Sequence, residues 1–366
     1  MSGSQRGASI RLEAIRRAYG SNAAVSNVTA NIAAGEFFTV VGPSGSGKTT
    51  LLQIIAGFVS PSHGELFIDG LPASAIPARH RNLGMVFQSY ALFPHLTVFE
   101  NVAFPLRVRR LKTSTIRERV DEMLRLVRLE GLHGRRPHQL SGGQQQRVAV
   151  ARALVHEPSA LLMDEPLGAL DKKLREDMQD ELKQLQKRLG VTFVYVTHDQ
   201  DEALRMSDRI AVMHQGRIEQ MGGPSEVYNR PASFFVADFL GESNVLRGVV
   251  VKHVAEDTVM IQADAGSQFV GTTPMALNLR ARVVATIRPE RLMFGAACDP
   301  GQGIDGVVID AVFGGDATRW RIRTPGGGTL VWKEQNVPGR STRHTGDAVQ
   351  VHWLPEDVRV FLEGVE

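Results

Sequence analysis

The run Gly42-Pro43-Ser44-Gly45-Ser46-Gly47-Lys48-Thr49 constrains this chain more than any other stretch. It reads G-x-x-x-x-G-K-T and stands between an apolar run, Phe37 to Val41, and a helix-like segment, Thr50 to Gly57. The spacing predicts a strand, a tight turn and a helix. Glycines let successive N–H groups converge on an anion, and the following helix aims its positive end at the same point. Polyphosphate is the expected guest, with Lys48 reaching the β- and γ-phosphates and the Thr49 hydroxyl placed to ligate Mg²⁺. A glycine-rich surface turn would not need this strand before it and this helix after it.

A chain of 366 residues has material for two or three domains. Lys plus Arg number 42 against 39 Asp plus Glu, and a net charge of +3 is too slight to imply nucleic-acid binding. A single cysteine, Cys298, cannot close an intrachain disulfide, so a reducing cytoplasm fits. Met1 to Ser9 is polar and lacks the apolar core of a secretion signal, and no stretch approaches about 18 uninterrupted apolar residues. Any membrane role is therefore expected to be peripheral.

In chain order, Ile10 to Ile32 alternates apolar and polar positions as strands do, with Tyr19 between two of them. Tyr19 reads equally as a packed aromatic or as a flat face for a purine base. Leu83 to Phe87 is a short strand-like run ended by Gln88, and Ser89 to Asn101, rich in Pro, Phe and Leu, reads as apolar loop surface facing a partner. Thr113 to Leu129 carries apolar residues at helical spacing, with Thr115 and Glu118 as a candidate capping box. A second helix is expected after Leu140-Ser141-Gly142-Gly143-Gln144, running to about Val155, with Ser141 to Gly143 at its positive end as a second candidate anion site.

Ala160 to Met163 reads as a buried parallel strand ending in Asp164-Glu165. Two acids at a strand end suit two tasks: Asp164 to orient the shell of a hard cation, Glu165 to polarise an attacking water. After Gly168-Ala169-Leu170-Asp171, a helix with Leu174, Met178, Leu182, Leu185 and Leu189 on one face is closed by Gly190. Val191 to Thr197 is a further strand, and His198 at its end is expected to reach the same carboxyl-edge crevice.

Together these residues resemble the ATP-binding subunit of an ABC transporter, over roughly Ile10 to Gly241 and with six motifs in the family's order. Tyr19 stands as the base-stacking aromatic, Gly42 to Thr49 as Walker A, Gln88 as the Q-loop, and Leu140 to Gln144 as the signature. Leu161 to Glu165 stands as Walker B with its catalytic glutamate, and His198 as the switch histidine. The resemblance implies an α/β P-loop core with a helical subdomain at about 89–158. It implies ATP and Mg²⁺ as cofactors, with Thr49, Gln88 and Asp164 at the metal, and ATP held by Tyr19, Gly42 to Thr50, Gln88, Ser141 to Gln144 and Asp164. Lys48, Glu165 and His198 are the implied catalytic residues. It further implies a head-to-tail homodimer with two shared sites, a membrane permease as partner, and a place on the cytoplasmic face of the cell membrane.

Beyond Pro224, Ser225 to Leu240 reads as short helices and Gly241 to Asn244 as a linker, which divides the chain into residues 1–241 and 242–366. Helix signals then vanish. Runs such as Val245 to Val251, Thr258 to Ala263, Arg282 to Ile287, Gly306 to Val312, Thr318 to Arg323 and Val358 to Leu362 predict a small all-β domain, expected as two OB-like barrels. Arg288-Pro289-Glu290 and Leu354-Pro355-Glu356-Asp357-Val358 resemble the TOBE region of importer ATPases. OB folds also bind oligonucleotides, but Trp320, Trp332 and Trp353 are widely spaced and read as core, so no nucleic acid is expected. An exporter ATPase is disfavoured by the β extension, and a soluble ATPase of translation or repair by the single cassette. Within the importers, Gly241 to Leu246 and His352 to Val358 look most like the polyamine (spermidine/putrescine) type, which implies an extracytoplasmic binding protein as indirect partner. Ferric iron, sulfate, phosphonate and sugars stay open as cargo.

Overall fold

The computed structural model describes residues 7–168, 170–295, 302–337 and 343–364; Cys298 lies outside them. The chain forms two compact units, Met1–Pro224 and Ser225–Glu366.

The first unit runs β1 (Ile10–Tyr19), β2 (Asn22–Ile32), β3 (Phe37–Val41), α1 (Lys48–Ala56), β4 (His63–Ile68), β5 (Leu71–Pro72), β6 (Leu83–Val86), α2 (Val98–Val108) and α3 (Thr113–Leu126). It continues with α4 (Gly142–Leu154), β7 (Ala160–Asp164), α5 (Lys172–Leu189), β8 (Thr192–Thr197), α6 (Gln200–Met206), β9 (Arg209–His214) and β10 (Arg217–Gly222). Six strands make one sheet in the order β10-β9-β3-β8-β7-β6, parallel except for β10. Strands β3 and β8 are buried throughout, as the apolar runs Phe37 to Val41 and Thr192 to Thr197 require of a parallel sheet covered on both faces. A four-stranded antiparallel sheet, β2-β1-β4-β5, packs Ile10, Leu12, Ile15, Val28 and Leu66 into a common core with α1.

Register decides where the site falls. Val41 pairs with Thr197 across β3 and β8, and Asp164 with Val196 across β7 and β8, so the residues that follow these strands leave the sheet at one level. That is the carboxyl edge, where ligands bind in open parallel sheets.

Helices α2, α3 and α4 share a separate core of Val98, Val102, Leu106, Ile116, Val120, Leu124 and Val148. Two local readings are corrected here. Thr115 is the third residue of α3, whose N-cap is Lys112 with no side-chain cap, so Thr115 and Glu118 are not its capping box. The box belongs to α2, where Glu100 N donates to Thr97 Oγ1 at 3.2 Å and Thr97 N donates to Glu100 Oε2 at 2.8 Å. Residues 98–101, read as loop, are therefore the first turn of a helix whose internal Pro105 and high Phe content hid it.

The second unit begins with α7 (Pro224–Asn229) and α8 (Phe234–Phe239), so the helical pair groups with the β strands rather than with the first unit. Arg288 explains the grouping, because its guanidinium donates to Ala237 O at 2.9 Å, Glu242 O at 3.1 Å and Tyr228 O at 3.4 Å. The strands are β11 (Asn244–Ala255), β12 (Thr258–Ala263), β13 (Gln268–Thr272), β14 (Arg282–Ile287), β15 (Met293–Phe294), β16 (Gly303–Phe313), β17 (Ala317–Arg323), β18 (Thr329–Gln335), β19 (Ala348–His352) and β20 (Val358–Leu362). One closed barrel, β11-β12-β13-β20-β14, stands beside an open five-stranded sheet, β15-β19-β16-β17-β18. The expectation of two barrels is thus half met: the second set of strands does not close on itself. Trp320, Trp332 and Trp353 are all buried in the shared core.

Candidate active site

The loop 42–47 is shaped by contacts that leave no room for side chains. A Cβ on Gly42 would lie 2.1 Å from Met213 O, and one on Gly47 would lie 2.1 Å from Ala24 O. Gly47 also has φ 101°, a conformation that L side chains rarely adopt, and it caps α1 without a side-chain hydrogen bond. The first amides of α1 are consequently uncapped by any side chain and open into the loop, the arrangement that attracts anions.

Lys48 is buried and its ammonium donates to the carbonyls of Gly42 at 2.8 Å and Pro43 at 2.9 Å. Burial lowers its pKa, opposed by the facing charges of Glu165 and Asp164. Thr49 Oγ1 donates to Asp164 Oδ1 at 3.2 Å, bringing a hydroxyl and a carboxylate oxygen together at the end of β7. Burial raises the Asp164 pKa, with the Thr49 hydrogen bond acting the other way.

Glu165 is the focus. His198 Nδ1 lies 3.0 Å from one carboxylate oxygen, and Gln88 Nε2 donates to the other at 3.0 Å. Three residues from the ends of three adjacent strands thus converge, and Glu165 N donates to Val196 O at 2.9 Å. Glu165 itself has φ 44°, an uncommon value for a residue with a side chain and one that persists only where surroundings enforce it.

Two expected participants lie apart from this cluster. Tyr19 ends β1, is 49% exposed, and has the Arg17 guanidinium 4.7 Å from its ring centroid. Ser141 is the N-cap of α4, accepting from Gln144 N at 3.3 Å while Gln144 Oε1 accepts from Ser141 N at 3.0 Å. Gly142 and Gly143 face Leu170 and Leu174, and among the described residues no hydrogen bond joins 141–144 to 42–50.

Sequence reasoning missed the polar residues behind His198. Asp199 caps α6 by accepting from Asp201 N and Glu202 N, and Arg175 donates to Asp199 Oδ2 at 3.1 Å. An Asp before two acidic residues is a legible N-cap signal, so α6 could have been found from it. The tie to Arg175, 24 positions earlier, had no sequence signal.

A strand–glycine loop–helix with a lysine, a strand-end Asp-Glu pair and a histidine on the neighbouring strand define a P-loop ATPase. The chain belongs to the ABC transporter ATP-binding family, and it binds ATP and hydrolyses it to power transport. Residues 25–168 match the ABC transporter family and residues 285–361 the TOBE domain. Among its relatives is the spermidine/putrescine import ATP-binding protein PotA of Rubrobacter xylanophilus, 47% identical over 346 residues that cover 94% of this chain and 91% of that one. PotA of Treponema pallidum is 43% identical, covering 99% of this chain and 98% of its own length. The dimeric post-hydrolysis structure of the ATP-binding cassette MJ0796 bound to ADP and Pi matches 59% of this chain and 98% of that one, with 37% identity and a TM-score of 0.53.

Proposed function

We propose that this chain is the ATPase subunit of a polyamine importer. The observation that carries the reading is the near-full-length similarity to spermidine/putrescine import ATP-binding proteins. Its first unit is the motor, and its β-rich second unit carries the TOBE domain.

In this reading Gly42, Pro43, Ser44, Gly45, Ser46, Gly47 and Thr50 cradle the triphosphate. The Lys48 ammonium leaves the Gly42 and Pro43 carbonyls for the β- and γ-phosphate oxygens, where it offsets charge as the bond to the γ-phosphorus breaks. Thr49 and Asp164 would hold Mg²⁺, with Gln88 beside them. Their oxygens are 3.2 Å apart, and the donor set suits an ion that takes one or two protein oxygens and fills its remaining positions from phosphate and water. That ion would neutralise phosphate charge. Glu165 accepts the proton of the attacking water, and Gln88 and His198 hold its two carboxylate oxygens in place.

Tyr19 would stack the base, and Ser141 to Gln144 would close the site from the second copy of a homodimer. The start of α4 is capped within itself and, among the described residues, makes no hydrogen bond to its own phosphate loop, which supports that division. A membrane permease is the expected partner. Phe58 and Phe87 stack at 6.1 Å while remaining 54% and 37% exposed, an apolar patch beside Gln88 that supports docking. No helix among the described residues is long and apolar enough to cross a membrane. In this reading the chain sits on the cytoplasmic face of the cell membrane, coupled through the permease to an extracytoplasmic binding protein.

Uptake of radiolabelled spermidine and putrescine in cells lacking the gene tests the reading. Uptake should fall and return with the wild-type chain but not with Glu165→Gln. Unchanged polyamine uptake in the deletion strain would overturn the cargo assignment.

A further inference from the structure

Arg175 stands in the first turn of α5, four residues after the N-cap Asp171, and makes three polar approaches at once. Its Nη2 donates to the carbonyl of Leu170 at 3.0 Å, its Nη1 donates to Asp199 Oδ2 at 3.1 Å, and its Nε faces Glu202 Oε1 at 3.9 Å. Leu170 lies on the segment that leaves Glu165, and Asp199 directly follows His198. One guanidinium thus touches the chain on both sides of the Glu165–His198 contact without touching either residue.

What stands behind it is rigid. Glu202 is 2% exposed and its Oε2 accepts from Tyr195 Oη and Thr197 Oγ1, both at 2.7 Å, fixing α6 to the last residues of β8. Asp199 N donates to Thr197 Oγ1 at 3.0 Å, and Asp199 Oδ1 accepts from the first amides of α6. The side of the network that carries His198 is therefore anchored in the sheet.

The other side is held by apolar burial of Leu167 and Leu170 and by the Glu165 N to Val196 O hydrogen bond, and the only side-chain polar tie on its far end, among the described residues, is the one from Arg175 to Leu170 O. From Glu165 the chain turns through Gly168, whose N–H donates to Glu165 O at 3.4 Å, and Leu170 N donates to Leu167 O at 3.1 Å. Glu165 also holds a left-handed φ of 44°, a conformation that reverts unless neighbouring structure over-determines it. The hydrogen bond from Arg175 to Leu170 O ties the far end of this strained turn to the anchored network.

We propose that Arg175 is a positioning residue for ATP hydrolysis, holding the turn after Glu165 and the turn of His198 in one register so that the 3.0 Å contact between them is kept. The proposal rests on the roles assigned above to Glu165 and His198. Arg is suited to the task because its planar fork serves several acceptors at fixed angles, whereas a lysine ammonium sits as one point charge. A displacement of about 1 Å at a reacting group can cost about 100-fold in rate.

The test uses the full-length chain with Arg175→Gln, Arg175→Lys and Arg175→Ala, each measured for kcat at saturating ATP, for ATP affinity by equilibrium binding, and for melting temperature. The expected result is a fall in kcat of about tenfold or more in Arg175→Gln with ATP affinity within about twofold of wild type. Arg175→Lys should recover part of the loss, and millimolar methylguanidinium should restore part of kcat to Arg175→Ala. A wild-type kcat in Arg175→Gln, whatever its melting temperature, would overturn the proposal. So would loss of kcat and ATP affinity in parallel with unfolding in all three variants, which marks a structural tie only. Glu165→Gln run alongside separates the two levels: normal turnover in that variant removes the reading of Glu165 itself, whereas an inactive Glu165→Gln beside a fully active Arg175→Gln removes only the role of Arg175.

Discussion

Glu165 pairs a strained backbone with two side-chain contacts, so its carboxylate is held in place. Replacing it by Gln keeps the size and the hydrogen-bond reach but removes the proton acceptor. The expected outcome is a fall in kcat of about 100-fold or more with ATP binding retained, read by single-turnover hydrolysis beside equilibrium binding. Lys48→Ala should instead weaken ATP binding itself, since the lost group is a charge facing phosphate. A different residue contributes to stability against acid. Burial, with Arg109 adding to it, pushes the His156 pKa down from 6.5 to about 4. The folded chain therefore resists a proton that the unfolded chain accepts, so the stability His156 contributes is present above pH 6.5 and is lost as pH falls towards 4. Urea midpoints at pH 7.5 and pH 5 should show this loss in the wild type, and a smaller one in His156→Asn. At this scale the sequence was highly readable where a residue's task is local. The glycines, Lys48 and the Asp164-Glu165 pair announced themselves by spacing. Arg175 did not, because its partners come together only when β8 and α5 are both folded.

Among the elements, α1 and its glycine loop fit most tightly. Gly47→Ala places a methyl group 2.1 Å from Ala24 O on a backbone at φ 101°, so both sterics and conformation oppose it. The expected cost is about 1–3 kcal/mol, read as a lowered melting temperature together with weakened nucleotide binding. Thr97→Ala removes the capping box of α2 and should cost about 1 kcal/mol, read by the denaturant midpoint with kcat for ATP unchanged. That helix also shows where sequence periodicity fails. Pro105 and the aromatic residues Phe99 and Phe104 mask a helix that is held by its cap and by packing against α4. Strand β13 went unread for a related reason: five residues with a single fully apolar pair, Phe269 and Val270, carry too little pattern until β12 pairs with them.

For the whole molecule, the proposed reading has the phosphate loop of one copy and the capped start of α4 of another hold one ATP between them. Light scattering on Glu165→Gln with ATP should report a dimer, and adding Ser141→Arg to that variant should return it to the monomer mass by placing bulk and charge where the phosphate is received. Persistence of the dimer in the double variant would argue against a shared site. The β-rich unit was legible as strands but not as topology, because strand content cannot say which edges meet. Chain path in that unit has its own consequence. The barrel is left after β14, the open sheet is built from β15 to β19, and only then does β20 return to pair with β14 and touch β13 at Thr272 and Arg359. The sheet is thus nested inside the barrel's sequence, like a parenthesis that must be completed before the sentence can end. The last stave arrives only after everything between has been threaded, so the two substructures should melt as a single cooperative event, and clipping residues 358–362 should unravel both.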